Sequence, residues 1–190
     1  MMRNRREFLI GFVCGLAAVF LIGLVLIVTG AFDFSASSKP GVIENKLAPY
    51  AFERSMVRRA PKQNNPFTNE PSALAVGMAH YKENCIICHG APGSEPVELA
   101  MGLNPSAPSL QEPDIQQISD GQMFWIIKNG VRWSGMPAFG MTHNDTEIWK
   151  IVSFVRHLPQ LTPEEKGNLN REPEHDHHQG GSGAHPESSP

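Results

Sequence analysis

Five consecutive residues, Cys85-Ile86-Ile87-Cys88-His89, place two thiols three positions apart and an imidazole directly after them. On a helical turn, residues three apart lie on one side. Both sulfurs can then reach the two vinyl groups of one flat ring, and the imidazole can swing under its centre. This is the C-x-x-C-H pattern of covalent haem attachment, with the histidine as the proximal ligand to iron. Two other chemistries use part of the pattern. A thioredoxin-type dithiol needs a strand–helix–strand surround, which the flanking residues do not show. A structural zinc site needs a second ligand pair, and the third cysteine, Cys14, sits in an apolar run near the N-terminus. His80 or a histidine of the C-terminal tail could complete a zinc or copper site, at a spacing that matches no common pattern.

A haem bound through His89 calls for a second axial ligand. The candidates are Met56, Met78, Met101, Met123, Met136 and Met141, with His80, His143 and His157. Met136 stands in Trp133-Ser134-Gly135-Met136-Pro137-Ala138-Phe139, between two helical segments. Gly135 allows the backbone close to a flat ring, and Pro137 stiffens the loop and removes a backbone donor from an apolar pocket. A thioether on a rigid loop suits a soft distal ligand. Met123 falls within a helix pattern, and Met78 is too near Cys85 in the chain to reach the opposite face. Met141 is the main rival.

The elements that must position these groups read as helices. Leu74, Met78 and Tyr81 share one face of a helix expected over Ser72 to Asn84, which ends at the cysteine motif. Ser119-x-x-Gln122 has the form of a capping box, and Gly130 ends the short helix it opens. Asn144-x-x-Glu147 is a second such cap. It precedes Ile148, Ile151, Val152 and Val155 at helical spacing, and Pro159 stops the run. The 94 residues from Thr68 to Leu161 therefore make an all-α domain of three or four helices around the haem.

On C-I-I-C-H, the later G-M-P-A-F and these helices, Thr68 to Leu161 resembles a class I c-type cytochrome, the monohaem His/Met kind. The resemblance implies one covalently attached haem c. It implies a close crossing of the first and last helices, at Gly77 and Tyr81 on one and at Trp149 and Val152 or Ser153 on the other. Ala107-Pro108-Ser109-Leu110 is similar to the family loop in which a proline carbonyl accepts a hydrogen bond from the proximal histidine, a role that would fall to Pro108. Arg132 and Trp133 stand where they could meet haem propionates.

The rest of the chain divides sharply. Residues 1–7 carry Arg3, Arg5 and Arg6, and no charge follows from Phe8 through Phe32. The 21 residues from Phe8 to Val28 span about 31 Å as a helix, the thickness of a bilayer core. The run exceeds the apolar region of a cleavable signal peptide, although small residues after it leave cleavage open. Gly11 and Gly15 have the spacing of a helix-packing pair. The arginines keep the N-terminus cytoplasmic, so residues 8–32 form a transmembrane anchor and the domain lies outside, in the periplasm of a bacterial inner membrane. Residues 33–67 read as a proline-rich spacer with a net charge of +3, holding at most a helix over Ala51 to Arg59. It is either a solvated tether or a basic stretch against anionic lipid or a partner's acidic surface. Residues 162–190 have few large apolar side chains and hold His175, His177, His178 and His185. They are expected to be disordered, with weak metal binding as the alternative.

Composition narrows the function. A net charge of −3 argues against nucleic-acid binding, and three cysteines make no disulfide framework. Two protein ligands on iron leave no position for a small-molecule substrate, so the chain reads as an electron carrier between redox proteins and not an enzyme. The alternatives are a haem-bearing subunit of a larger respiratory or dehydrogenase complex, and a metal-binding or haem-sensing protein. The domain has five basic against nine acidic side chains, so a partner with a positive patch is expected.

Overall fold

The computed structural model describes residues 2–94 and 97–170. Every regular element among them is helical: α1 Met2–Val28, α2 Val42–Arg59, α3 Pro71–His80, a π-helical turn Tyr81–Cys85, α4 Ile86–His89, α5 Glu98–Met101, α6 Pro113–Gln117, α7 Asp120–Asn129, a 3-10 turn Phe139–Met141, α8 Asp145–His157, a 3-10 turn Leu158–Gln160, and α9 Pro163–Asn170. The all-α class agrees with the pattern of apolar residues.

α1 has a mean hydropathy of 2.9 over Asn4–Val28 and none of it is covered by the rest of the chain. Its apolar side chains point outward on every side. A helix apolar all round suits lipid and not water.

The domain is organised on α8, whose residues Ile148, Trp149, Ile151, Val152, Phe154 and Val155 are buried. Both expected capping boxes open their helices. Ser119 and Gln122 exchange bonds at the start of α7, and Asn144 and Glu147 do so at the start of α8. Each satisfies backbone donors that a helix start leaves unpaired. Gly130 ends α7 at φ 65°. The Phe124 and Trp149 rings stack at 4.2 Å and join α7 to α8. Tyr81 meets Phe154 edge-on at 5.4 Å.

α3 crosses α8 at Gly77, as the resemblance implies. A Cβ there would lie 2.3 Å from the Lys150 carbonyl oxygen and 2.7 Å from Phe154 Cβ. Trp149 and Ser153 also receive Asn65, whose Nδ2 donates to the Trp149 carbonyl at 3.0 Å and to Ser153 Oγ at 2.8 Å.

That contact alters the picture of residues 33–67. They hold a helix of 18 residues, longer than the piece expected from Ala51. Met56 on it is buried, and Phe52 packs on Trp125 of α7 at 6.4 Å. Residues 61–67 form a strap across the domain. The Pro61 carbonyl lies over Gly121 so closely that no Cβ would fit, and Ser153 Oγ donates to the Phe67 carbonyl at 3.0 Å. Asp120 ties strap and helices together: it accepts from Asn65 N at 3.1 Å and from Arg156 Nε at 2.8 Å. Residues 52–67 are docked on the domain, whereas residues 41–51 are exposed.

The start of the C-terminal stretch also differs from expectation. Thr162 and Glu165 form a capping box, α9 follows, and its Leu169 is buried in the core. Lys82 Nζ donates to the Asn168 carbonyl at 3.1 Å and His157 pairs with Glu165 at 3.0 Å, which hold the short helix beside Leu169. The histidines at 175, 177, 178 and 185 lie outside the described residues.

Candidate functional site

The cysteine motif begins where α3 changes its winding. The π-helical turn Tyr81–Cys85 adds a residue before α4, a feature that often marks functional positions in helices. Tyr81 holds the turn. Its hydroxyl donates to the Gly90 carbonyl at 2.7 Å, closing the segment that contains Cys85, Cys88 and His89. Burial, with Cys85 beside it, pushes the Tyr81 phenol above its ordinary range, so it remains a donor. Gly90 follows at φ 72°, a left-handed turn favoured by glycine.

Cys85 and Cys88 are both free thiols, half-buried. Burial, with Cys88 as a smaller contributor, pushes the Cys85 thiol up to about 12. A catalytic dithiol needs the reverse shift, toward thiolate. The environment therefore disfavours the thioredoxin-type alternative. For metal binding, no cluster of three or more His, Cys, Asp or Glu occurs among the described residues.

His89 has its ring oriented by the chain itself. Its Nδ1 lies 2.8 Å from the carbonyl oxygen of Pro108. The N–H donates there, which assigns the tautomer and leaves the Nε2 lone pair to bind a metal. Burial lowers the His89 pKa and the Pro108 carbonyl opposes it, with burial the larger effect. The neutral imidazole that results is the ligand form.

Met136 is held by its own loop. Met136 N donates to Ser134 Oγ at 3.2 Å, and Ser134 Oγ donates to the Val131 carbonyl at 2.7 Å. Val131 N donates to the Met136 carbonyl at 3.2 Å. Gly130, at φ 65°, lies against Met136 and Pro137 backbone atoms 2.7 Å from where a Cβ would be. Met136, Cys85, Ile86, Leu110 and Phe139 are all half-buried against the same core. The other methionines divide by burial: Met56 and Met123 are core, whereas Met101 and Met141 are 71% and 87% exposed. Met78 packs on the core from α3.

Gly135, Trp133, Arg132, His80 and His143 are placed around the methionine loop and the end of α3. A Cβ at Gly135 would sit 2.5 Å from Leu103, so the neighbour that this glycine admits is Leu103. Trp133 is 90% exposed at φ 61°, a conformation rare outside glycine. Arg132 is exposed. His80 and His143 meet one another, with Nδ1 and Nε2 3.2 Å apart, and so link α3 to the chain just after the methionine loop. The Tyr81 and Ser134 clasps and the Leu103 contact escaped the sequence. Their partners are backbone carbonyls or distant side chains, which leave no pattern in composition.

The donor set fits a haem. Two thiols share one turn, an oriented neutral imidazole follows them, and Met136, on a clasped loop, packs on the same apolar core. An all-helical domain carrying this set of residues resembles a c-type cytochrome domain, a class with haem, iron and electron-transport character. Residues 72–155 match the family model described as Cytochrome C oxidase, cbb3-type, subunit III. No curated protein matches the chain. Among solved structures, it is similar to cytochrome CL from the marine methylotrophic bacterium Methylophaga aminisulfidivorans. The identity is 21%, over 75% of this chain and 91% of that one, with a TM-score of 0.38.

Proposed function

We propose that the domain holds one haem c, attached through Cys85 and Cys88 and ligated by His89 and Met136. We infer that it carries single electrons between redox proteins on the outer face of a bacterial inner membrane. When bound, the haem supplies a ferrous/ferric couple. The observation that carries this reading is the 2.8 Å contact of His89 Nδ1 with the Pro108 carbonyl. It orients the ring, keeps Nε2 available and raises its basicity. The Ser134 clasp fixes the Met136 backbone, and its thioether would be a ligand that favours the reduced state relative to a second histidine. With His89 and Met136 holding the haem, no position would be left for a small-molecule substrate, and the function would be electron transfer rather than catalysis. α1 serves as the anchor, with Arg3, Arg5 and Arg6 holding the N-terminus in the cytoplasm. The acidic surface of the domain suits donors and acceptors with positive patches.

The test is a pyridine haemochrome assay of the exported protein, with redox-difference spectra of wild type and Met136→Ala. A covalent haem c signal and loss of the Met–iron absorption in the variant alone are expected. Absence of covalent haem sinks the reading. A second reading, a haem-bearing subunit of a larger complex, has support in the description of the matched family model. Isolation of the native protein separates the two, since a subunit leaves the membrane with its complex.

A further inference from the structure

α2 has two apolar faces, and only one of them is used by the domain. Phe52 and Met56 point at α7. At about 100° per residue, Ile43, Leu47, Tyr50 and Val57 form a separate stripe on the opposite side, spaced 4, 3 and 7 residues apart. These four are 74%, 59%, 63% and 51% exposed. Arg54 lies within the stripe, and Lys46 and Arg58 flank it, all exposed. Arg54, Val57 and Arg58 line an open recess there. Glu44 and Glu53 stand further out, about 60° beyond Leu47 and about 40° beyond Val57. An outward row of aliphatic and tyrosine side chains with one cation inside it and cations nearest its edges is the pattern of a helix lying in an anionic lipid interface.

The chain puts that interface within reach. Thirteen residues separate the end of α1 from the start of α2, at most about 45 Å when extended. We propose that α2 lies along the anionic membrane surface, its outer stripe among the lipid headgroups and its inner face carrying the cytochrome domain. The inference rests on reading α1 as an uncleaved span. α2 then sets the height and orientation of the site, since Phe52, Met56 and the strap join it rigidly to α7 and α8. A long flexible tether would leave both free.

The test uses the full-length chain, with Cys14→Ser, in phosphatidylcholine bilayers with and without phosphatidylglycerol. Nitroxide labels are placed at Leu47→Cys, separately at Ile43→Cys, at Leu21→Cys within the span, and at Gln160→Cys on the exposed domain surface. Labels at 43 and 47 are expected to be more accessible to oxygen than to a nickel chelate in phosphatidylglycerol bilayers. They should lose that immersion when Lys46, Arg54 and Arg58 are changed to Glu, while the label at 160 stays open to nickel throughout. Nickel access at 43 and 47 with an immersed 21 overturns the inference and leaves the span standing. Shielding of 43 and 47 from both reagents means a protein contact, a second copy or a partner, and also overturns it. Immersion unchanged by the Glu substitutions overturns the role of anionic lipid. Nickel access at 21 overturns the span itself.

Discussion

Gly77 of α3 faces the Lys150 carbonyl of α8, and a Cβ at Gly77 would sit 2.3 Å from that oxygen. The two helices meet backbone to backbone. Alanine at 77 gains about 1 kcal/mol of helix propensity but meets a backbone atom that cannot rotate away, at an overpacking cost of about 3 kcal/mol. Gly77→Ala is expected to destabilise the domain by about 2 kcal/mol in denaturant unfolding. An unchanged midpoint refutes the close crossing.

Asn65 is buried in the strap and donates to both the Trp149 carbonyl and Ser153 Oγ. Its removal takes the amide donor from Ser153 Oγ and leaves Phe67 N without the Asn65 Oδ1 acceptor, a loss of about 1–3 kcal/mol. Asn65→Ala should therefore lower stability by that amount. Asn64→Ala, at the exposed neighbour, should stay within about 0.5 kcal/mol. Equal effects at the two positions argue that the strap is not docked.

Met141 is 87% exposed, whereas Met136 is half-buried against the core. In redox-difference spectra, Met141→Ala should match wild type while Met136→Ala loses the Met–iron feature. The opposite result makes Met141 the ligand.

Glu165 accepts from Thr162 N at 2.8 Å and pairs with His157 Nε2 at 3.0 Å. The Thr162 bond first, and His157 after it, hold its carboxyl below the ordinary carboxylate value. A folded value below the unfolded one makes these contacts stabilising above the ordinary carboxylate range. They are lost as pH falls through the depressed value. Solvent keeps the effect under about 1 kcal/mol. Protection factors of α9 amides, that is exchange rates corrected for their intrinsic pH dependence, should fall as pH drops through the carboxylate range, and Glu165→Gln should flatten that dependence. An identical profile in the variant refutes it.

Much of the site was legible because its chemistry is local. C-x-x-C-H needs only one helical turn, so two thiols and an imidazole declare themselves within five residues. The caps at Ser119 and Asn144 are equally local: a side chain and a backbone N–H three residues on. The apolar helix α1, long enough to cross a bilayer, is a matter of length and the absence of charge. The resemblance to c-type cytochromes rests on these signals and on Met136-Pro137 downstream.

Tertiary structure decided what depends on distant partners. It separated Met136 from Met141 by burial, which nothing in a short loop of similar residues encodes. It showed residues 61–67 as a strap because Asn65 finds its acceptors 84 and 88 positions away, and proline-rich composition alone reads as a tether. It turned Gly77 toward Lys150 and Phe154, since the rotation of two crossing helices follows from the whole core and not from either periodicity. Sequence sets which groups can do chemistry, through spacings short enough for one turn of chain. Which of them face each other is settled by packing, where many weak contacts are balanced at once.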